Sequence, residues 1–141
     1  MITLEVETSA RQEMVRITHQ LARAVQEAGW ENGLCQLFVP HTTAGITLNE
    51  NADPDVVRDL LYSMERQVPS NDPHYRHFEG NSAAHIKASM MGFSMAVIVQ
   101  GGRLALGRWQ DILFCEFDGP RRRQLMLEFV PSPPRDSFTL I

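Results

Sequence analysis

The last third of the chain carries the pattern that most constrains its fold. Residues 94–99 are apolar and β-branched, and residues 108–117 alternate between two sets of side chains, which is typical of strands. A Gly-Gly pair at 101–102 is a hairpin signal, and the Asp-Gly-Pro turn at 118–120 leads to a last strand marked by residues 125–129. Strands joined by such short turns pair antiparallel. This part of the chain therefore predicts an antiparallel sheet.

The N-terminal region predicts one strand and one long helix. Residues 2–7 alternate apolar and polar side chains, as a strand with one buried face does. Residues 10–28 repeat apolar side chains at helical spacing until Gly29 stops the run. Ser9 and Gln12 have the spacing of a capping box at the start of this helix. We therefore expect the first helix over residues 10–28.

The middle of the chain adds a second long helix with a clear start. Asp53 suits the N-cap, Pro54 suits the first helical position, and Asp55 complements the positive end of the helix dipole. Ser82 is expected to cap a short helix that Gly92 ends in a left-handed conformation. The elements predicted here are strands over 34–39 and 42–48, the long helix over 54–68, a loop over 69–84 and the short helix up to 91.

This order of elements predicts an α+β fold. Two long helices and one short helix accompany a mainly antiparallel sheet, which differs from a doubly wound parallel one. A length of 141 residues with 43% hydrophobic residues matches one compact domain, which we place at residues 1–130. Residues 131–141 contain three prolines and are expected to form an extended tail.

Composition argues against several classes of partner. The net charge of −4 does not match a nucleic-acid-binding domain, and the basic run at 121–123 is expected to be a solvated loop. The chain has neither a signal-peptide pattern at its N-terminus nor an apolar stretch long enough to cross a membrane. Cys35 and Cys115 lie in apolar runs and are expected to be buried free thiols. These features predict a cytoplasmic protein.

The segment from His41 to Pro54, HTTAGITLNENADP, holds the densest group of polar side chains. One interpretation is a metal site, because imidazoles are common ligands and three of them with a bound water form an open, catalytic type of centre. His41, His77 and His85 are the candidates for this role. The alternative is that these histidines are ordinary exposed or hydrogen-bonded residues.

A second interpretation is recognition of an anion. The cations of Lys87, Arg103 and Arg108 suit a phosphate or carboxylate, and the hydroxyls of Thr42 and Thr43 could assist.

Nearby carboxylates would suit a magnesium–phosphate complex better than a bare phosphate. Asp53 and Asp55 have helix capping as an equally good explanation. Glu50 precedes the cap and is the candidate for a general acid or base, against the alternative of a solvated carboxylate.

Four stretches in this order resemble the YjbQ family of small bacterial and archaeal proteins. They are HTTAGITLNENADPDVVRDL, YRHFEG, HIKASMMG and GGRLALGRWQDILFCEFDGPRRR, and the resemblance runs from about residue 2 to 130. It implies a compact α+β homotrimer with a polar pocket for a divalent metal ion, zinc or magnesium. It also implies a weak thiamine-phosphate synthase activity, which couples a pyrimidine diphosphate to a thiazole phosphate and releases pyrophosphate.

The residues carried over from the family pattern have the following expected roles. Catalysis is expected of Glu50, His85 and Lys87, with Lys87 neutralising charge on the leaving pyrophosphate. The metal ligands are expected to be His41, His77, His85 and Asp53. Substrate contacts are expected from Thr42, Asn49, Asn51, Ser89, Trp109 and Gln110, with Trp109 stacking on a ring.

Two classes of function follow from these expectations. The first is a metal-assisted enzyme acting on a small phosphorylated or anionic metabolite, and the alternative is a trimeric metal- or metabolite-binding protein without catalysis. A pure assembly module would instead scatter its polar side chains. Whether His41, His77 and His85 meet distinguishes this third class from the other two. An open metal position would favour catalysis, and a fully ligated centre would favour binding.

Overall fold

The computed structural model describes residues 1–134, in which eight strands and three helices follow one another. The elements are β1 (Ile2–Glu7), β2 (Glu13–Arg16), α1 (Thr18–Glu27), β3 (Gly33–Phe38), β4 (Ala44–Asn49), α2 (Pro54–Gln67), α3 (Ser82–Met91), β5 (Ser94–Gln100), β6 (Arg103–Leu104), β7 (Asp111–Glu116) and β8 (Arg122–Pro131).

The strands form two sheets. A five-stranded sheet has the order β1-β8-β3-β5-β6, and a three-stranded sheet has the order β2-β7-β4. Every strand pairing within residues 1–134 is antiparallel. The predicted α+β fold, a single domain with a mainly antiparallel sheet, is therefore confirmed.

The three-stranded sheet lies in the middle of the molecule and is covered on both faces. One face contributes Ile46 and Phe114 to a core shared with α1 and the inner face of the five-stranded sheet. The other face contributes Leu113 and Cys115 to a second core under α2 and α3. This double burial explains why all six residues of β7 are buried. The outer face of the five-stranded sheet has no such cover within the described residues.

The prediction of one helix over residues 10–28 is wrong at its N-terminal end. Residues 13–16 form β2, which pairs with β7, and α1 begins only at Thr18. The predicted capping box does not form, since Ser9 donates from its backbone nitrogen and its hydroxyl to Glu13 rather than starting a helix. Residues with helical spacing also suit an edge strand here, because β7 offers an unpaired edge that satisfies their backbone groups.

The two later helices begin and end close to their predicted limits. Asp53 caps α2 by accepting a hydrogen bond of 3.0 Å from the Asp55 backbone nitrogen, as predicted. Asn81 rather than Ser82 occupies the N-cap of α3, and its side chain makes no capping hydrogen bond. Gly92 ends α3 with a positive φ of 91°, but its ψ of 162° is extended rather than left-handed helical.

Several smaller predictions can also be compared with the structure. Cys35 and Cys115 are buried and free, as predicted, and burial raises their pKa values to about 11 and about 12. No helix within residues 1–134 is long and apolar enough to span a membrane. The last strand continues to Pro131, one residue into the predicted tail, and most of that tail, residues 135–141, lies outside the described residues.

Candidate functional site

A polar cleft of about 640 Å³ opens where three segments meet. These segments are the β3–β4 connection, the start of α3 and the turn between β7 and β8. The polar side chains that line it are His41, Thr42, Thr43, Glu79, Asn81, His85, Asp118, Arg121 and Arg123, with Phe38 and Phe93 adding apolar surface. A second space of about 290 Å³ shares His41, Thr42 and His85 with the cleft and also contacts Ser89.

Strand register brings these segments together. The pairing of Ala44 with Glu116 sets the start of β4 beside the end of β7, so the residues before β4 lie next to the β7–β8 turn. The end of α3 comes close to β4 at Gly45, where an added Cβ would lie 2.8 Å from the Gly92 carbonyl oxygen. A side chain at position 45 would therefore push α3 away from β4.

His41 is held in one tautomer by the backbone of β8. Its Nε2 accepts a hydrogen bond of 2.9 Å from the Gln124 backbone nitrogen, so the neutral ring carries its proton on Nδ1. Burial lowers the pKa of His41, and the positive charge of Arg123 lowers it further. His41 is therefore a neutral imidazole whose Nδ1–H has no partner within residues 1–134 and remains available to a ligand.

A buried ion pair forms the floor behind His41. The Arg123 guanidinium donates from Nε and Nη2 to the two carboxylate oxygens of Glu116, and from Nη2 to Thr43 Oγ1 at 2.7 Å. The Thr8 hydroxyl donates to Glu116 at 2.7 Å. Burial would raise the pKa of Glu116, but the hydrogen bonds from Arg123 and Thr8 outweigh it and hold the pKa below its usual value. Both charges are therefore present in the folded protein.

Asn81 also lines the cleft and has an unsatisfied oxygen. Its Nδ2 donates to Asp118 Oδ2 at 2.9 Å, and the same carboxylate oxygen accepts from Arg121 Nη2 at 3.1 Å. Asn81 Oδ1 is buried and has no hydrogen-bond partner within the described chain. An unpaired buried acceptor of this kind costs about 1–3 kcal/mol, so such a group calls for a physical explanation.

His77, in the loop before α3, lies close to His85 on that helix. Their ring centroids are 5.3 Å apart in an edge-to-face arrangement, and His77 Nε2 lies 3.9 Å from Glu79 Oε2. His85 lines the cleft, whereas His77 lies in a neighbouring pocket of about 450 Å³ that also contacts Tyr75. His85 thus connects the cleft with the loop before α3.

The donor set of one chain does not fit the expected metal centre. Within residues 1–134, no group of three or more His, Cys, Asp or Glu side chains is arranged to hold a metal ion. His41 is a poor third ligand, because its Nε2 already accepts a hydrogen bond from the Gln124 backbone nitrogen. A metal would have to bind at Nδ1 and displace the only ring proton of the neutral imidazole. His77 and His85 alone supply two nitrogens of the four positions that zinc usually fills.

Lys87, expected to contact substrate, points into the interior instead. Its side chain is 1% exposed, and its ammonium donates to Glu65 at 2.7 Å and to Gln12 at 2.9 Å. Burial raises the pKa of Glu65, but hydrogen bonds from Lys87, Gln12 and Ser70 outweigh it and lower that pKa to about 2. Lys87 does not line the cleft, and in this structure it joins α3 to α2 and to the segment before β2.

The other expected site residues lie at the far end of β4. Asn49 pairs in register with Asp111, so residues 49–53 and 109–110 lie near each other. The six residues of β4 span about 17 Å from Ala44 to Asn49, and His41 lies before Ala44 in the chain. Glu50, Asn51 and Asp53 therefore do not line the cleft in one chain, and neither do Trp109 and Gln110.

These distal residues have local contacts of their own. Asn49 Oδ1 accepts from the Glu50 backbone nitrogen at 2.7 Å, and Gln110 Oε1 accepts from the Gly107 nitrogen at 2.8 Å. Trp109 is 56% exposed, and the Arg108 guanidinium lies 4.9 Å from the centroid of its ring. The polar residues predicted as one site therefore form a proximal group around His41 and His85 and a distal group around Glu50 and Trp109.

Sequence reasoning missed several residues of the cleft. The basic run at 121–123 was expected to be a solvated loop, which is wrong for Arg123, since it is only 4% exposed. The alternation of side chains along a strand was the available signal, because it puts Arg123 on the same buried face of β8 as Leu125 and Leu127. Asn81 and Asp118 offered no comparable signal, since each lies in a turn or cap where such residues are common.

The fold and the cleft together define a small single-domain α+β protein with a polar cleft at the ends of its strands. The sequence profile described as UPF0047 protein YjbQ-like matches residues 2–132, and the chain belongs to this family. The resemblance seen in the sequence is therefore confirmed.

Individual relatives match over most of their length. The UPF0047 protein YugU of Bacillus subtilis is 49% identical over 128 residues, which cover 91% of this chain and 97% of the relative. A UPF0047 protein of Methanocaldococcus jannaschii is 44% identical over 126 residues, covering 89% and 91% of the two chains. The crystal structure of a YjbQ/UPF0047 family protein from Clostridium acetobutylicum superposes with a TM-score of 0.89 at 48% identity, covering 92% of this chain and all of the other.

Proposed function

We propose that the cleft binds a small anionic metabolite and that the protein is an enzyme acting on it. The position of His41 carries this proposal, because the Gln124 contact fixes its Nδ1–H tautomer and this N–H has no partner within residues 1–134. Arg123 also lines the cleft, and its Nη1 makes no hydrogen bond within residues 1–134. A neutral imidazole donor beside a guanidinium suits a phosphate or carboxylate oxygen of a ligand.

The candidate reaction is the formation of thiamine phosphate. In this reaction the thiazole nitrogen forms a bond to the methylene carbon of the pyrimidine diphosphate, and the carbon–oxygen bond to pyrophosphate breaks with its electron pair. Pyrophosphate leaves with more negative charge than it carried in the ester, so fixed donors near the leaving oxygens lower the barrier. His41 and Arg123 would supply such donors, and His85 would donate a proton to the pyrophosphate oxygen as the carbon–oxygen bond breaks.

Turnover by the purified protein tests this proposal. The two substrates are incubated with protein, and thiamine phosphate is measured by oxidation to a fluorescent product. His41→Ala and His85→Ala should lower the rate at least about tenfold, whereas His19→Ala, an exposed histidine on α1, should leave it unchanged. Equal rates in all three variants would refute the role of the cleft. Binding of substrate without turnover would favour a metabolite-binding protein.

The expected homotrimer gives a way for the two groups of polar residues to meet. A cyclic trimer has heterologous interfaces, in which one surface of a protomer contacts a different surface of the next. Apolar side chains on the uncovered face of the five-stranded sheet could form part of such an interface. Leu34 lies in register between Ile98 and Val130, and these three residues are 44%, 58% and 55% exposed. We propose that the distal group of one protomer faces the proximal cleft of its neighbour.

Mixing two inactive variants tests this arrangement. His85→Ala and Trp109→Ala should each be inactive alone. When the two variants are unfolded and refolded together, some shared sites combine the intact proximal cleft of a Trp109→Ala protomer with the intact distal group of a His85→Ala protomer. Random assembly should restore about a quarter of the wild-type turnover. No recovery from mixed trimers, or a monomer in light scattering, would refute a site shared between protomers.

A divalent metal, zinc or magnesium, belongs to the proposal only as an ion held between protomers. His77 and His85 would then need a further ligand from the next chain, and the carboxylates of the distal group, including Asp53, are the available donors. Elemental analysis of untagged protein purified without chelator measures the metal content. A stoichiometric metal that is lost in His77→Ala but kept in His19→Ala would support this site.

A further inference from the structure

We propose that Asn81 selects ligands that carry an N–H donor, so that the metabolite bound in the cleft has an amino group or a similar head as well as an anionic end. This inference rests on the proposed function, because it concerns the same cleft. Asn81 belongs to none of the roles expected from the sequence. The unsatisfied side-chain oxygen of Asn81 is the observation that points to a role in ligand binding.

The orientation of the Asn81 amide is fixed by its neighbour. Burial raises the pKa of Asp118, but hydrogen bonds from Asn81 and Arg121 outweigh it and keep the pKa below its usual value. An ionised carboxylate only accepts hydrogen bonds, so the amide nitrogen of Asn81 must face it. The amide oxygen then has to face away from Asp118. It cannot exchange places with the nitrogen without setting two acceptors against each other.

The oxygen of Asn81 has no substitute donor among the residues that the structure describes. Asn81 is 8% exposed, and its Oδ1 is buried without a partner although the residue lies at the N-cap of α3, where such an oxygen usually caps the helix. The residue lines the cleft beside Glu79 and Arg121, two long side chains that are 56% and 53% exposed.

The lining of the cleft therefore offers both acceptors and donors. Asn81 Oδ1 and the carboxylate of Glu79 are acceptors, while the Asp118 carboxylate is already paired with Arg121. His41 and Arg123 are donors. A ligand with an amino head towards Asn81 and a phosphate towards His41 satisfies both kinds of group. A ligand that is anionic throughout leaves Asn81 Oδ1 unpaired.

Two small phosphates that differ in one group test this selection. 2-Aminoethyl phosphate and ethyl phosphate are titrated into ¹⁵N-labelled protein, and binding is followed by nuclear magnetic resonance. The amino compound should bind about tenfold or more tightly than ethyl phosphate, because a hydrogen bond from a charged donor to a buried acceptor is worth that much. The Asn81 side-chain amide signals should shift with the amino compound and stay in place with ethyl phosphate.

Variants separate Asn81 from the nearby carboxylates. Asn81→Leu has a similar volume and should lose the preference for the amino compound, while Asn71→Leu, on the exposed loop before α3, should keep it. A preference that survives in Asn81→Leu would overturn the inference and assign the selection to Glu79 or Asp118.

The remaining outcomes also decide between the two proposals. Equal binding of both probes to the wild type would overturn the role of Asn81 and leave the anion-binding cleft standing. Binding of neither probe would refute the proposed function and the role of Asn81 together. The amide signals are read from the wild type, so the result does not depend on the variant folding.

Discussion

Replacing Glu116 by Gln should destabilise the protein strongly although the two side chains have nearly the same shape. Glu116 is fully buried, and its carboxylate accepts from Arg123, from the Thr8 hydroxyl and from the Asp118 backbone nitrogen. The Arg123 side chain is only 5% exposed and contacts no other carboxylate within residues 1–134. The substitution therefore leaves a buried guanidinium with no counter-charge.

The expected loss is about 3–5 kcal/mol in the free energy of unfolding at pH 7, since that is the usual cost of removing one partner of a buried ion pair. Domains of this size are stable by about 5–15 kcal/mol, so the variant should remain folded but close to its limit. The loss should shrink in acid. Hydrogen bonds hold the pKa of Glu116 below its unfolded value, so its contribution is present above about pH 4.3 and disappears as the pH falls further.

Urea unfolding followed by circular dichroism measures this difference, with the protein concentration held constant because the proposed assembly would contribute to stability. Glu27→Gln is the matched control, since Glu27 is exposed and pairs only with Arg23 on the same helix. A loss below about 1 kcal/mol in Glu116→Gln would contradict the reasoning. So would a loss that stays constant down to pH 3. Glu116→Leu combined with Arg123→Met should recover most of the stability, because no unpaired charge remains.

Three further predictions follow from single contacts. Gly45→Ala should lower the free energy of unfolding by about 2 kcal/mol, measured in urea, because its Cβ would press on the Gly92 carbonyl. Glu65→Gln should cost about 1–2 kcal/mol at pH 7, less than a fully buried pair because Glu65 is 41% exposed. With the Glu65 pKa at about 2, this difference should persist at pH 4.5 and vanish towards pH 2 in the same assay. ¹⁵N nuclear magnetic resonance should show the neutral ring of His41 as the Nδ1–H tautomer, with a pKa below 6.5 because of burial and the nearby Arg123 charge. Detection of the Nε2–H tautomer would contradict the assignment.

Elements with a strong local pattern could be predicted from the sequence. The strand at 2–7 and the α2 start at Asp53 were found because alternation and capping act within a few residues. Residues 13–16 were misassigned because their apolar spacing suits a helix and a strand alike. What decides between them is β7, which is about a hundred residues away and needs a partner on that side. Local patterns carry no information about such a partner.

The sequence predicted which types of residue form the candidate site, but not which of the predicted residues lie together in space. Polar side chains at element ends marked His41, His85 and Glu50, and the first two do line one cleft. Glu50 lies elsewhere because β4 runs straight between the two polar ends of the segment that begins at His41. Lys87 was indistinguishable from a surface cation, since its burial depends on Glu65 reaching it from another helix.

The separation of the two polar groups limits what a single protomer can do. A strand of six residues cannot bend its ends together, so no side-chain motion within one chain brings Glu50 to His41. Among the described residues, Glu79 is the exposed carboxylate that lines the proximal cleft beside its fixed donors, whereas the distal group contains the carboxylates of Glu50 and Asp53 and an exposed indole. Donors and ring-stacking surfaces would be complementary parts of the proposed shared site. We therefore expect substitutions in both groups to impair the same turnover, and the defects to be complemented only between protomers.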